Sequence, residues 1–311
     1  MKKLLSILIA LLSLCTSASY AQQGRIAFCQ MDIVDITSFG HDTIVAVGGY
    51  LLNPVSGWPN NSGFIMRSTD GGSTWDIQYR ENSQAQLHKL CALSESKGFA
   101  VSDSGLLYST IDAGATWKKE VLPYNYHFYD IEFTDSLTGY ITGSQEKYLK
   151  TTNGGQTWSL GSVGGSYNGL YDIEWINDTT AFLCGEKSYK TINGGANWTT
   201  SSSGMIGFRI RQHWTSLLNG WQTTGTSTLY TTDGGITFTQ NSTFGITDYH
   251  AFSNTHLIGI QDSTISETND GGYTWNVISH LPAGFQGKSI YFTDALTGYV
   301  GGNNAILKTI D

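Results

Sequence analysis

The sequence predicts an all-β chain: a seven-bladed β-propeller of four-stranded antiparallel blades, with the last blade incomplete or closed by the N-terminal strand. Three observations carry this reading. A short Gly-rich turn motif recurs along the chain, its spacing is close to 40 residues, and the composition is strand- and turn-like. Of 311 residues, 37 are Gly and only 4 are Pro, with 14% charged and 13% aromatic. Such a chain forms short strands and tight turns and is too apolar and too aromatic for disorder.

The turn reads Thr69-Asp70-Gly71-Gly72-Ser73-Thr74-Trp75 in its first complete copy. Further copies place Asp112, Asn153, Asn193, Asp233 and Asp270 at the same point, and a seventh begins at Asp311, where the sequence stops. Asp-Gly or Asn-Gly between two strand-like runs is a hairpin signal, because glycine reaches positive φ without a Cβ clash. The Asp or Asn side chain is placed to accept backbone N–H groups within the turn, and the aromatic residue to tuck beneath it. Because Asn replaces Asp in two copies, these residues are expected to be structural: a turn acceptor tolerates the amide, whereas a general acid or nucleophile does not.

A second motif precedes each turn. Phe133-Thr134-Asp135-Ser136-Leu137-Thr138-Gly139-Tyr140 is nearly repeated at Phe292–Tyr299. It reads as strand A, a turn and strand B; strand C follows, and the Gly-rich turn leads into strand D. A period of ~40 residues suits one propeller blade. The expected units lie near 31–85, 86–125, 126–166, 167–206, 207–245, 246–285 and 286–311, with 25–30 as a possible addition to the last. Either the sequence is a piece of a longer chain, which is the expectation favoured here, or Arg25-Ile26-Ala27-Phe28-Cys29 supplies the missing outer strand.

Residues 1–21 read as an export signal: Lys2 and Lys3, an apolar run from Leu4 to Leu14, and Ser19-Tyr20-Ala21 ahead of the cut. The mature domain is then 22–311, exported to the periplasm, the cell surface or the medium. Beyond residue 21 there are 15 basic and 25 acidic residues. That balance argues against a nucleic-acid partner and against adhesion to anionic bilayers, and no apolar run is long enough for membrane insertion. Cys29, Cys91 and Cys184 are odd in number and far apart, so a disulfide-stapled scaffold is not expected; they read as buried thiols, with one bridge left open. No cofactor and no metal site is expected. His88, His127, His213 and His250 lie near strand A starts but in different registers.

Within a meander blade the A–B and C–D turns share one face, and the B–C and D–A loops the other. Both recurring motifs occupy the first face, so recognition is expected on the second, variable face. Its largest feature is the insertion Gly49 to Gly63, which carries Trp58. Aligning strand A on Phe133, Trp175, Trp214, Phe252 and Phe292 puts Asp130, Asp172, Arg211, Tyr249 and Ser289 at one inner position. Two residues on come Glu132, Glu174, His213, Ala251 and Tyr291. The candidate ligand-binding residues are therefore Trp58, Asp130, Asp172, Arg209, Arg211 and His213. The repetition of Tyr129-Asp130-Ile131-Glu132 as Tyr171-Asp172-Ile173-Glu174 suggests a repeated packing role instead.

The turn motif resembles the Asp-box, or BNR repeat. Together with Phe-Thr-Asp-x-Leu-Thr-Gly-Tyr and Lys150-Thr151-Thr152-Asn153-Gly154-Gly155, it is similar to the photosystem II stability and assembly factor family. That resemblance implies a seven-bladed propeller that escorts protein subunits, is not an enzyme, and carries a basic, Arg-rich binding patch. This chain has only Arg25, Arg67, Arg80, Arg209 and Arg211 beyond its leader. The reading is an exported, non-enzymatic binding or assembly scaffold for a protein segment or a glycan. The alternative is an Asp-box glycoside hydrolase: one of endoglucanase type needs a pair of carboxylates at a defined separation, and one of sialidase type needs three Arg converging on the substrate carboxylate with a Tyr/Glu nucleophile pair. The oligomeric state is not specified by the sequence.

Overall fold

A computed structural model describes residues 7–8, 30–52, 62–164, 169–200, 211–224, 226–242 and 245–310. Trp58, Arg209, Cys29, the Arg25–Cys29 segment, the cut after Ala21 and Asp311 lie outside the described residues. The fold is a seven-bladed β-propeller built from antiparallel sheets. Two compact units are distinguishable, Met1–Leu122 with Leu281–Asp311, and Pro123–His280.

The first unit holds blades 1, 2 and 7. Blade 1 runs Gln30–Ser38, Ile44–Leu52, Gly63–Ser68 and Asp76–Arg80, and blade 2 runs Leu87–Ala92, Gly98–Ser102, Leu106–Thr110 and Lys118–Val121. Blade 7 has three strands of its own, Gly287–Phe292, Gly298–Gly302 and Ala305–Thr309. The outer edge of its last strand pairs with Ile7–Leu8, Ile7 opposite Thr309 and Leu8 opposite Lys308. Two apolar clusters fill this unit, one around Phe64, Met66 and Tyr299 and one around Val47, Leu87 and Tyr108.

The second unit holds blades 3 to 6, whose strand A segments are Phe128–Phe133, Leu170–Trp175, Arg211–Trp214 and Asp248–Ala251. Their outer strands are Ser159–Ser162, Thr199–Thr200, Thr239–Ser242 and Asn276–His280. Strands A to C bury nearly every residue of one face, and strand D is mostly exposed, as expected when only neighbouring blades can cover a meander. Tyr140, Leu170 and Leu183 anchor one cluster, and Trp221, Ile246 and Leu257 another.

The turns are tied by a repeated set of hydrogen bonds. Asp70 accepts the Thr74 N–H at 2.8 Å and the Thr74 hydroxyl at 2.6 Å. Asp112, Asp233 and Asp270 do the same with Thr116, Thr237 and Thr274. Asn153 accepts the Thr157 N–H through Oδ1 and donates through Nδ2 to the Thr157 hydroxyl. Asn193 accepts the Asn197 N–H. The amide therefore preserves the backbone contact and reverses only the hydroxyl one. Two residues before the acid or amide, Ser68, Thr110, Thr151, Thr191, Thr231 and Thr268 donate to it and accept the N–H of the glycine two residues after it. That glycine has φ between +75° and +92°. At Gly272 an added Cβ would lie 2.4 Å from Trp221 Nε1, so both backbone and packing demand glycine there.

The turns also lock neighbouring blades. In the second unit Tyr140 Oη and Lys150 Nζ both donate to the Gly194 carbonyl, at 2.9 and 3.0 Å. In the first, Tyr299 Oη and Lys308 Nζ donate to the Gly71 carbonyl, and Arg67 Nε donates to the Ala113 carbonyl. The Tyr of Thr-Gly-Tyr and the Lys of strand C thus share one acceptor in the next blade.

Candidate functional site

Strand A is the edge strand of each sheet, so alternate backbone N–H groups there lack a ladder partner. The inner carboxylates supply one. Asp130 Oδ2 accepts the N–H of Ile173 at 3.0 Å, and Asp172 Oδ2 accepts that of Gln212 at 3.1 Å. In the first unit Asp35 Oδ2 accepts the N–H of Leu90 at 2.7 Å. Two residues further along, Glu174 accepts the N–H of Trp214 at 3.1 Å, and Glu132 that of Trp175. Each carboxylate thereby fastens its blade to the next. A hydrogen bond of this kind contributes about 0.5–3 kcal/mol, at the upper end where the acceptor is ionised.

The register corrects the expected ring at blade 6. Phe133, Trp175 and Trp214 pair with the first residue of strand B, and Ala251 holds that place opposite Leu257. Asp248, not Tyr249, therefore shares the position of Asp130, Asp172 and Arg211, and His250, not Ala251, shares that of Glu132, Glu174 and His213. The aromatic anchor misled the alignment: Phe252 sits one residue later, in the turn, where it stacks on His256. His213 and His250 thus stand in one register, contrary to expectation, although no group of His, Cys, Asp or Glu among the described residues is arranged to hold a metal. Asp35 and Lys89 occupy the equivalent position in blades 1 and 2. They escaped sequence alignment because Ser38 and Ala92 stand there in place of the aromatic anchor.

Of the expected ligand-binding residues, Asp130, Asp172, Arg211 and His213 come together in the second unit. Arg211 lies between two acids, Nη1 3.7 Å from Asp172 Oδ1 and Nε 3.6 Å from Asp248 Oδ1. His213 Nδ1 is 3.2 Å from Glu174 Oε1. Burial pushes the Glu132 carboxyl well above the usual carboxylate range, and the charges of Asp130, Glu174 and Asp172 push it further. Glu174 is raised by burial too, against the opposing pull of His213. The Arg-rich patch that the resemblance implies is not assembled among the described residues: Arg67 is bonded to Ala113 and Arg211 is held between carboxylates.

A second feature was not legible in the sequence. In five blades the pairing of strands A and B slips by one residue just before the inner position, and the extra residues are Val34, His88, Tyr129, Tyr171 and Lys288. A bulge re-aims the side chain it carries. All five are half-buried and sit at the end of strand A that joins the variable loops. In the first unit His88 lies 2.8 Å from Asp103 and Lys288 lies 2.6 Å from Asp32. In the second, the rings of Tyr129 and Tyr171 meet with centroids 5.0 Å apart. Gly169 admits them: a Cβ there would lie 2.8 Å from Tyr171 and 3.0 Å from Tyr129.

Residues 109–167 match the family model of the photosynthesis system II assembly factor YCF48. The chain resembles that family. YCF48 from Cyanidioschyzon merolae is 15% identical, over 91% of this chain and 96% of that one, with a TM-score of 0.67. YCF48 bound to D1 peptide is 14% identical over 91% of this chain and 94% of that one, with a TM-score of 0.68. The WD40 β-propeller domain of Doa1 is 10% identical over 90% and 93%, with a TM-score of 0.65. At these identities the likeness is one of fold. No curated protein sequence matches the chain.

Proposed function

We propose that this chain is an exported, non-enzymatic scaffold that binds an extended protein segment on the face formed by the B–C and D–A loops. The observation that carries the reading is the engagement of Asp130 and Asp172, the carboxylates a hydrolase would need, by the backbone N–H groups of Ile173 and Gln212. A glycosidase acid or nucleophile must be free to exchange a proton or attack a sugar. The opposite face is committed to blade-to-blade locking through the Gly194 and Gly71 carbonyls. The bulged residues lie at the ends that remain. The solved relative described as bound to D1 peptide supports a protein segment as the partner class; a glycan is the second ligand class, supported by the half-buried tyrosine pair, since sugars pack on aromatic faces.

The test combines two assays on the purified chain: binding to a panel of extended peptides and hydrolysis of aryl-glycosides. The expected outcome is saturable peptide binding with no turnover. Turnover that disappears in Asp130→Asn or Asp172→Asn would overturn the scaffold reading.

A further inference from the structure

The charge of the chain is unevenly placed. Between Pro123 and His280, the second unit, there are 13 acidic and 6 basic residues; the remainder has 12 and 11. Much of this excess lines the inner strands of blades 3 and 4. Asp172 and Asp248 share Arg211, and Glu174 has His213. Among the described residues, Asp130 and Glu132 form no ion pair, and Glu132 leaves Oε2 without a hydrogen-bond partner. Immediately beside these acids in the chain, the two bulges turn Tyr129 and Tyr171 to the rim, where their rings meet. Glu186, exposed in the neighbouring B–C loop, acts electrostatically on Tyr171. Two aromatic faces beside the Asp130 carboxylate and the exposed Glu186 attract a desolvating cation through ring quadrupole and charge together.

We propose that the Tyr129–Tyr171 rim is the subsite for a lysine or arginine side chain of the bound segment, so that the partner class is basic. The proposal rests on the protein-segment reading above and specifies its chemistry. It also inverts the charge that the family resemblance implies: here the protein supplies the acids and the partner the cation. The half-buried rings provide the contact surface. The carboxylates raise the local concentration of a basic segment and orient it.

The test uses the full chain and short fluorescein-labelled Gly-Ser peptides carrying Lys, Gln or Glu at alternate positions, read by fluorescence anisotropy. The Lys peptide is expected to bind at least about tenfold more tightly than the Gln peptide, and the advantage to shrink as salt screens the acids. Tyr129→Ala and Tyr171→Ala are each expected to weaken Lys-peptide binding by about fivefold, whereas Tyr129→Phe and Tyr171→Phe retain it, because the ring and not the hydroxyl makes the contact. Glu186→Lys is expected to weaken it without touching the core. Circular dichroism confirms that each variant is folded; should an alanine variant fail to fold, Glu186→Lys and the peptide comparison decide. Equal binding of the Lys and Gln peptides, or unchanged binding in folded alanine variants, would overturn the basic-segment proposal and leave the scaffold reading standing. Binding of no peptide would overturn both.

Discussion

Asp130 and Ile173 are joined by one hydrogen bond, carboxylate Oδ2 to backbone N–H at 3.0 Å, across the boundary between two blades. The same contact links Asp172 to Gln212 and Asp35 to Leu90. These side chains close the edge of strand A, which a stacked meander would otherwise leave with unpaired donors.

The first prediction concerns that contact. Asp130 is only 3% exposed, so its loss strands a buried N–H. Asp130→Ala is expected to lower stability by about 1–3 kcal/mol in urea denaturation, with Asn at the same place less damaging because it retains an acceptor. An unchanged midpoint would show that water satisfies Ile173.

Glu132 offers a test of opposite sign. Its folded-state carboxyl is raised well above its ordinary value of 4.5 by burial and by neighbouring acids. A raised folded value means stability that is fully present below the unfolded value and lost as pH rises through the folded one. Glu132→Gln is therefore expected to gain in melting temperature over the parent as pH increases above about 4.5. A constant difference from acid to alkaline pH would contradict this.

The turn acids behave in the reverse way. The hydroxyl and N–H of the Thr four residues on hold the Asp70, Asp112 and Asp233 carboxyls down to about 2, from an ordinary 3.8. Their contribution is present above the unfolded value and fades as pH falls towards about 2. Replacing all three by Asn, the residue nature uses at 153 and 193, is expected to flatten the acid limb of the melting curve. High salt will blunt the effect, since these groups are exposed.

Gly272→Ala combines a left-handed backbone, φ +92°, with a Cβ 2.4 Å from Trp221 Nε1. Strain and overpacking together are expected to lower stability by more than about 2 kcal/mol. Thermal denaturation with near-ultraviolet dichroism reads both the loss and the disturbance of Trp221.

The repeat made the fold legible, because one Gly-containing turn followed by an aromatic residue, Trp in five copies and Phe238 in one, punctuates six of the blades. It also showed why Asn can replace Asp. The stitching hydroxyls of Thr110 or Thr151 were visible as a column of Ser and Thr but had no assigned task until the geometry gave one. The inner ring was only partly legible. Strand register follows the ladder and not the nearest aromatic residue, so Phe252 shifted Asp248 and His250 out of view. The bulges at Tyr129 and Tyr171 left no mark, because inserting one residue changes the direction of a side chain without changing the pattern of residue types.

The most direct measurement is backbone hydrogen exchange of the full chain with and without a saturating basic peptide. The account predicts new protection at the bulged ends of strand A, around Tyr129 and Tyr171, and in the B–C loop at Glu186, with the Gly-rich turns unchanged. Protection centred on those turns, at Gly154 or Gly194, with none at the tyrosine rim would contradict it.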